Sequence, residues 1–150
     1  MSVHSATIRW SRATPDYTYE TYDRSHTWAF GTGTTIAGSA APEFRGDGTK
    51  VNPEEALVGA LSSCHKRTYL AIAAKKGFTV DRYTDAAEGT LEKKDGRMWV
   101  TKVVLRPAVE FAAPVPSPEV IANLHASAHA GCFIANSIRT EVAVEAPAAP

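Results

Sequence analysis

At 150 residues the chain is long enough for one ordinary domain with a sizeable core, and a content of 44% hydrophobic and 21% charged residues is that of a soluble globular protein. Sixteen Lys and Arg balance sixteen Asp and Glu, so neither the electrostatic footprint of a nucleic-acid binder nor a polybasic membrane surface is present, and no stretch approaches transmembrane length. Met1 to Trp10 alternates polar and apolar residues without the charged start and apolar run of a signal peptide, which gives a cytoplasmic location as the expectation.

From Thr7 to Ala37, short aromatic and β-branched runs (Thr18-Tyr19, Thr27-Trp28-Ala29-Phe30, Thr34-Thr35-Ile36) are separated by turn residues and predict a small antiparallel meander. Ser39 to Val51 has no periodicity and predicts a long loop of the kind that often carries function. A first helix is then punctuated at both ends. Asn52 is the N-cap, Pro53 the first helical residue, Glu54 and Glu55 sit in the first turn, and Lys75, Lys76 and Gly77 close it. Leu57, Leu61, Cys64, Thr68 and Ile72 form its apolar stripe. Phe78 to Glu92 and Arg97 to Glu110 read as two long strands around an Asp95-Gly96 hairpin turn. Ser117-Pro118-Glu119 opens a second helix with the stripe Ile121, Leu124, Ala128, Cys132 and Ala135, and Thr140 to Glu145 alternates as a last strand. Residues 147–150 are expected to be a disordered tail.

The order strands, helix, two strands, helix, strand predicts a single α+β domain over residues 1–150, with antiparallel sheets covered by two central helices. From Ala56 to Ala74 the first helix is apolar on more than one side. A second subunit is the cheapest supplier of the extra surface, so an intertwined homodimer is predicted.

Both cysteines of the chain, Cys64 and Cys132, fall on these two apolar stripes. In a reducing compartment a permanent disulfide is not expected. Two core thiols on facing helices are instead inert core, metal ligands, or a pair cycling through a transient disulfide. A reactive thiol needs its thiolate stabilised by a nearby cation, because burial alone raises the pKa. Arg24, just before the strand His26 to Phe30, and Arg45, in the long loop, are the candidates, with Glu54 as an acid able to orient one of them. Glu54 precedes Cys64 by ten residues, about 15 Å along a straight helix, so it cannot touch the sulfur directly. His125, His129 and Cys132, at i, i+4 and i+7, could join Cys64 in a zinc set, although no C-x-x-C is present. His65 and His129 are read first as helix-boundary residues and otherwise as residues that tune the neighbouring thiols.

The run Asn52-Pro53-Glu54-Glu55-Ala56-Leu57-Val58-Gly59-Ala60-Leu61-Ser62-Ser63-Cys64-His65 resembles the OsmC/Ohr family, named for osmotically induced protein C and organic hydroperoxide resistance protein. The resemblance continues through Ala128-His129-Ala130-Gly131-Cys132-Phe133-Ile134-Ala135-Asn136-Ser137. It is closer to the small OsmC-like branch than to typical Ohr, in which a proline follows the second cysteine where Phe133 stands here. The resemblance implies a peroxidase acting on organic hydroperoxides, with hydrogen peroxide as a further substrate. Cys64 is then the peroxidatic cysteine and Cys132 the resolving one, and a Cys64–Cys132 disulfide is reduced by an external dithiol such as a dihydrolipoyl group on a carrier protein. Glu54 matches the family's glutamate, Arg24 the N-terminal placement of its arginine and Arg45 the loop placement, with Arg24 preferred. The resemblance also implies a swapped α+β dimer with its active sites at the subunit interface, and no cofactor or resident metal. Two other readings stand beside it: a non-enzymatic dimer binding a small apolar ligand between its helices, and a zinc-binding variant using Cys64, Cys132 and the helix histidines.

Overall fold

The structure, a computed structural model, describes residues 1–146, so the expected tail at 147–150 lies outside the described residues. The chain divides into two compact units, the first Met1–Ala56 and the second from Leu57 onward.

In the first unit β1 (Ala6–Arg9), β2 (His26–Phe30) and β3 (Thr35–Gly38) form the predicted antiparallel meander in the order β1-β2-β3. Trp28 sits opposite Ile8 on one side and Ile36 on the other, an aromatic residue between two β-branched ones, which is a favourable cross-strand set. Thr18-Tyr19 is not a strand. The Thr18 carbonyl accepts from Thr21 and Tyr22 N–H at 3.2 and 3.1 Å, and the Thr21 hydroxyl accepts from Thr18 N–H at 3.1 Å, so local side-chain bonding wins over extension. The segment from Ser39 to Val51 is tied down rather than open. It contains one 3-10 turn, Pro42–Phe44, and returns to β3 through a parallel bridge between Gly38 and Val51. Ser39 N–H donates to the Val51 carbonyl at 3.0 Å, while the Ser39 hydroxyl accepts from Asp47 N–H at 3.0 Å.

Helix α1 (Pro53–Lys75) begins where the sequence places it. Asn52 Oδ1 accepts from Glu55 N–H at 2.8 Å and Glu55 Oε2 accepts from Asn52 N–H at 3.3 Å, a reciprocal capping box. Its most deeply buried line is Leu61, His65, Tyr69 and Ala73, spaced by four, rather than the predicted stripe through Cys64 and Thr68. Cys64 therefore lies at the edge of the core, half-buried.

The two long strands of the second unit are each broken in two. β4 (Val80–Asp85) pairs with β7 (Pro107–Phe111), and β5 (Glu88–Lys94) pairs with β6 (Arg97–Leu105). The break is chemical. Pro107 has no N–H to continue the ladder, and Asp85 turns its carboxylate to take the Arg106 N–H at 2.7 Å and the Ser62 hydroxyl at 2.5 Å. Asp95-Gly96, both at positive φ, make the predicted tight turn. A register shift between Thr90 and Leu91 marks a bulge against β6, whose Val100, Val103 and Leu105 face the core while Trp99 lies beneath the Arg139 guanidinium at 3.9 Å. β8 (Glu141–Val144) joins β6 in parallel, an exception to the expected antiparallel pairing.

Helix α2 (Pro118–Ala130) starts on the Ser117 cap, whose hydroxyl accepts from Val120 N–H at 3.3 Å. It stops at Gly131, so Cys132 and Ala135 follow the helix instead of extending its stripe. Two cores result. Leu61, Val100, Val103, Leu105 and Cys132 join α1 to the sheet β5-β6-β8, whereas Tyr69, Ala73, Leu124 and Ala128 join α1 and α2 to the β4–β7 pair.

Candidate active site

One turn of α1 and the segment after α2 meet residue for residue in the second unit. Cys64 lies beside Cys132, the Arg67 guanidinium covers the Phe133 ring at 4.8 Å, and Gly131 passes so close to Thr68 that a Cβ there would stand 3.1 Å from its methyl group. The absence of a side chain at Gly131 lets the two backbones approach and brings Cys132 to the helix. The segment is held by its own bonds. Cys132 N–H donates to the His129 carbonyl at 3.1 Å, Asn136 N–H to the Cys132 carbonyl at 3.0 Å, Asn136 Nδ2 to the Ala130 carbonyl at 3.1 Å, and the Ser137 hydroxyl to the Phe133 carbonyl at 2.7 Å. On the helix, the Thr68 hydroxyl donates to the Cys64 carbonyl at 3.0 Å.

The two thiols are electrostatically unequal. For Cys64, burial is the largest single influence and pushes the pKa up. The Ile134 N–H, the Cys132 thiol, the Arg67 guanidinium and the Phe133 N–H outweigh it together, and the net direction is down. Cys132 is 1% exposed, and burial pushes its pKa up. The Ala135 N–H, donating to Cys132 Sγ at 3.4 Å, opposes that, but the adjacent Cys64 adds a further upward push. The surroundings therefore favour the thiolate form more at Cys64 than at Cys132, both cysteines being free.

The residues expected to supply the cation and its acid lie in the first unit. Arg24 is only 8% exposed. Its two terminal nitrogens donate to the Tyr22 and Tyr19 carbonyls, its guanidinium lies 3.7 Å from the Tyr22 ring centre and 5.2 Å from that of Tyr19, and its Nε has no partner among the described residues. Arg24 and Glu54 line one cavity of about 370 Å³ whose wall includes the rings of Trp10, Tyr17, Tyr22 and Phe44. Arg45, at φ +64 after the 3-10 turn, is exposed and reaches the far ring of this cluster, 5.6 Å from the Tyr19 centre. The two candidate arginines thus share Tyr19, but only Arg24 enters the cavity with Glu54.

Arg67 was not among the residues singled out from the sequence. Its one signal there is its place at i+3 from Cys64, on the same helix face. Phe133, which positions it, gives no sequence signal for that contact.

The histidines do not join the thiols in a metal set. His125 packs on His65 in parallel, with Nδ1 and Nε2 3.2 Å apart, and its ring lies 4.4 Å from Tyr69. With Cys132 beyond the end of α2, the i, i+4, i+7 spacing no longer defines one face. Among the described residues no three His, Cys, Asp or Glu side chains converge on a point that could hold an ion. His65, read from the sequence as a helix-boundary residue or one that tunes the thiols, is buried at 1% exposure with His125 and His129 as neighbours.

Residues 46–146 match the family described as OsmC, OsmC-like protein. The chain belongs to that family. An OsmC-like protein of unknown function from Vibrio cholerae has the same fold at TM-score 0.94, with 45% identity over 98% of this chain and 100% of its own. Peroxiredoxin OsmC of Escherichia coli is 26% identical over 94 residues, 63% of this chain and 64% of its own length. An organic hydroperoxide resistance protein OsmC from Legionella pneumophila matches at TM-score 0.70 and 16% identity, covering 97% of this chain and 96% of its own, a likeness of fold. The OsmC-like α+β fold expected from the sequence is therefore that of the chain. No helix among the described residues is long and apolar enough to cross a membrane.

Proposed function

We propose that the chain is a two-cysteine peroxidase that reduces organic hydroperoxides. The observation that carries this reading is the adjacency of two free thiols, Cys64 half-buried at the core edge and Cys132 buried beside it, with the pKa of Cys64 directed down and that of Cys132 up. A peroxidatic cysteine must be a thiolate to attack, and a resolving cysteine must bring a proton.

In this reading the Cys64 thiolate attacks the outer oxygen of ROOH. The S–O bond forms, the O–O bond breaks, and the departing alkoxide takes a proton to leave as ROH, so that Cys64 becomes a sulfenic acid. The Cys132 sulfur then attacks Cys64. The S–O bond breaks, water leaves with the Cys132 proton, and a Cys64–Cys132 disulfide remains. An external dithiol, such as a dihydrolipoyl group on a carrier protein, returns two electrons and two protons and is itself oxidised to a disulfide. The cycle suits a reducing compartment such as the cytoplasm. A homodimer belongs to the same reading. Arg24 and Glu54, which line one cavity within the first unit, keep the roles of arginine and acid that the resemblance implies for them, with Arg45 as the alternative arginine. Relatives named peroxiredoxin OsmC and organic hydroperoxide resistance protein support the class of reaction.

Stopped-flow oxidation by cumene hydroperoxide tests it. Cys64→Ser should abolish peroxide consumption, whereas Cys132→Ser should keep the first oxidation, trap as a Cys64 sulfenic acid with dimedone, and lose turnover with dithiol. Unchanged consumption by Cys64→Ser, or co-purification of an apolar ligand with thiols that oxidise slowly and unselectively, contradicts the reading.

A further inference from the structure

We propose that Arg67 is a catalytic arginine of the Cys64 site, the cation that faces the Cys64 sulfur from within the same unit, fixed in place by its stack on Phe133. This inference rests on Cys64 being the reactive thiol.

The geometry behind it is the register between one turn of α1 and the segment 131–134. Cys64 and Arg67 stand three residues apart on a helix, so their side chains share a face. Across from them Cys132 and Phe133 are consecutive, and each meets one of the pair: Cys132 the Cys64 thiol, Phe133 the guanidinium at 4.8 Å. An exposed arginine on a helix ordinarily samples many rotamers. Here the guanidinium over the Phe133 ring narrows that choice, and an aromatic face leaves its N–H groups available to another acceptor. Phe133 is 67% exposed, so its ring gains little from burial on its own, and the Arg67 guanidinium lies over it. A cation beside the sulfur would also stabilise the charge that passes to the departing alkoxide oxygen as the O–O bond breaks.

Arg24 and Arg45 have other attachments. Arg24 spends two nitrogens on the Tyr22 and Tyr19 carbonyls and lies against the Tyr22 ring, and Arg45 is drawn to Tyr19. Within the second unit the cation assigned to the thiolate is Arg67, while Arg24 lines the cavity of the first unit with Glu54.

The test is the pH dependence of iodoacetamide alkylation at Cys64, read by mass spectrometry of its peptide in the full-length reduced protein, together with the rate of oxidation by cumene hydroperoxide. In the parent protein the alkylation midpoint should lie below that of an ordinary thiol. Arg67→Met, which keeps the length of the side chain and removes its charge, should raise the midpoint and slow both reactions about tenfold at neutral pH. Arg67→Lys should recover part of the loss, and Phe133→Leu should reproduce part of it with the arginine still present. Thermal unfolding of each variant should match the parent, because neither side chain is in the core. An Arg67→Met midpoint equal to the parent's overturns the proposal. A midpoint that depends on Arg67 in a protein that consumes no hydroperoxide upholds the cation and instead overturns the peroxidase reading.

Discussion

At the scale of single residues, the second unit holds charge differences in two places with opposite consequences. Beside α1's outer face, donors converge on Cys64 and lower its pKa against the pull of burial. One residue along, His65 turns inward to His125. Burial, the largest influence on each, holds both imidazoles neutral; each also has a neighbouring histidine acting against its charge, His129 for His65 and His65 for His125. The His125 pKa falls to about 4. Asp85 on β4 opposes these effects, and the Tyr69 and Tyr83 hydroxyls complete the surroundings without hydrogen-bond partners among the described residues. A depressed histidine pKa means that the unfolded chain takes up the proton first. Stability from this pair is fully present above the unfolded value, near 6.5, and is lost as pH falls from there through the folded value, about 4 for His125. Urea unfolding between about pH 7 and about pH 4 should show the midpoint falling, by an amount on the order of a few kcal/mol in stability. His125→Phe, which keeps a ring but removes a titrating group, should flatten that fall; an unchanged slope would show that the pair does not govern acid sensitivity.

At the scale of elements, what was legible in the sequence was what is decided locally. Asn52-Pro53-Glu54-Glu55 and Ser117-Pro118-Glu119 mark helix starts because a cap, a fixed φ and acids near the dipole act within four residues, and both helices begin there. Replacing Asn52 with Ala removes one half of the capping box and should lower stability by about 1 kcal/mol in urea unfolding. A neutral result would mean that the Glu55 half suffices. The end of α2 was not legible in the same way. Apolar periodicity runs on through Cys132 and Ala135, but Gly131 and the turn bonds of Asn136 and Ser137 stop the helix, and that competition is settled only when the segment packs on α1. The broken strands tell the same lesson. Pro107 was visible in the sequence, yet Asp85's acceptance of both Arg106 N–H and the Ser62 hydroxyl depends on residues far apart in the chain.

At the scale of the whole molecule, element order implied an α+β domain and the resemblance of the two cysteine-bearing runs implied the OsmC-like fold, and the likeness to the Vibrio cholerae protein spans nearly the whole chain. Of the candidate site, Cys64 and Cys132 were legible as a pair, and Arg24 and Glu54 prove to line one cavity. Arg67 was not legible, since its meaning depends on Phe133, which reaches it only through the turn after α2. The central claim is that the two thiols form a working couple. Peptide mapping after one equivalent of cumene hydroperoxide is added to the fully reduced protein tests it most directly. The account predicts loss of both thiols and a single disulfide joining the Cys64 and Cys132 peptides within one chain. Persistent free Cys132 alongside sulfinic or sulfonic acid at Cys64, or no oxidation of Cys64 at all, would contradict it.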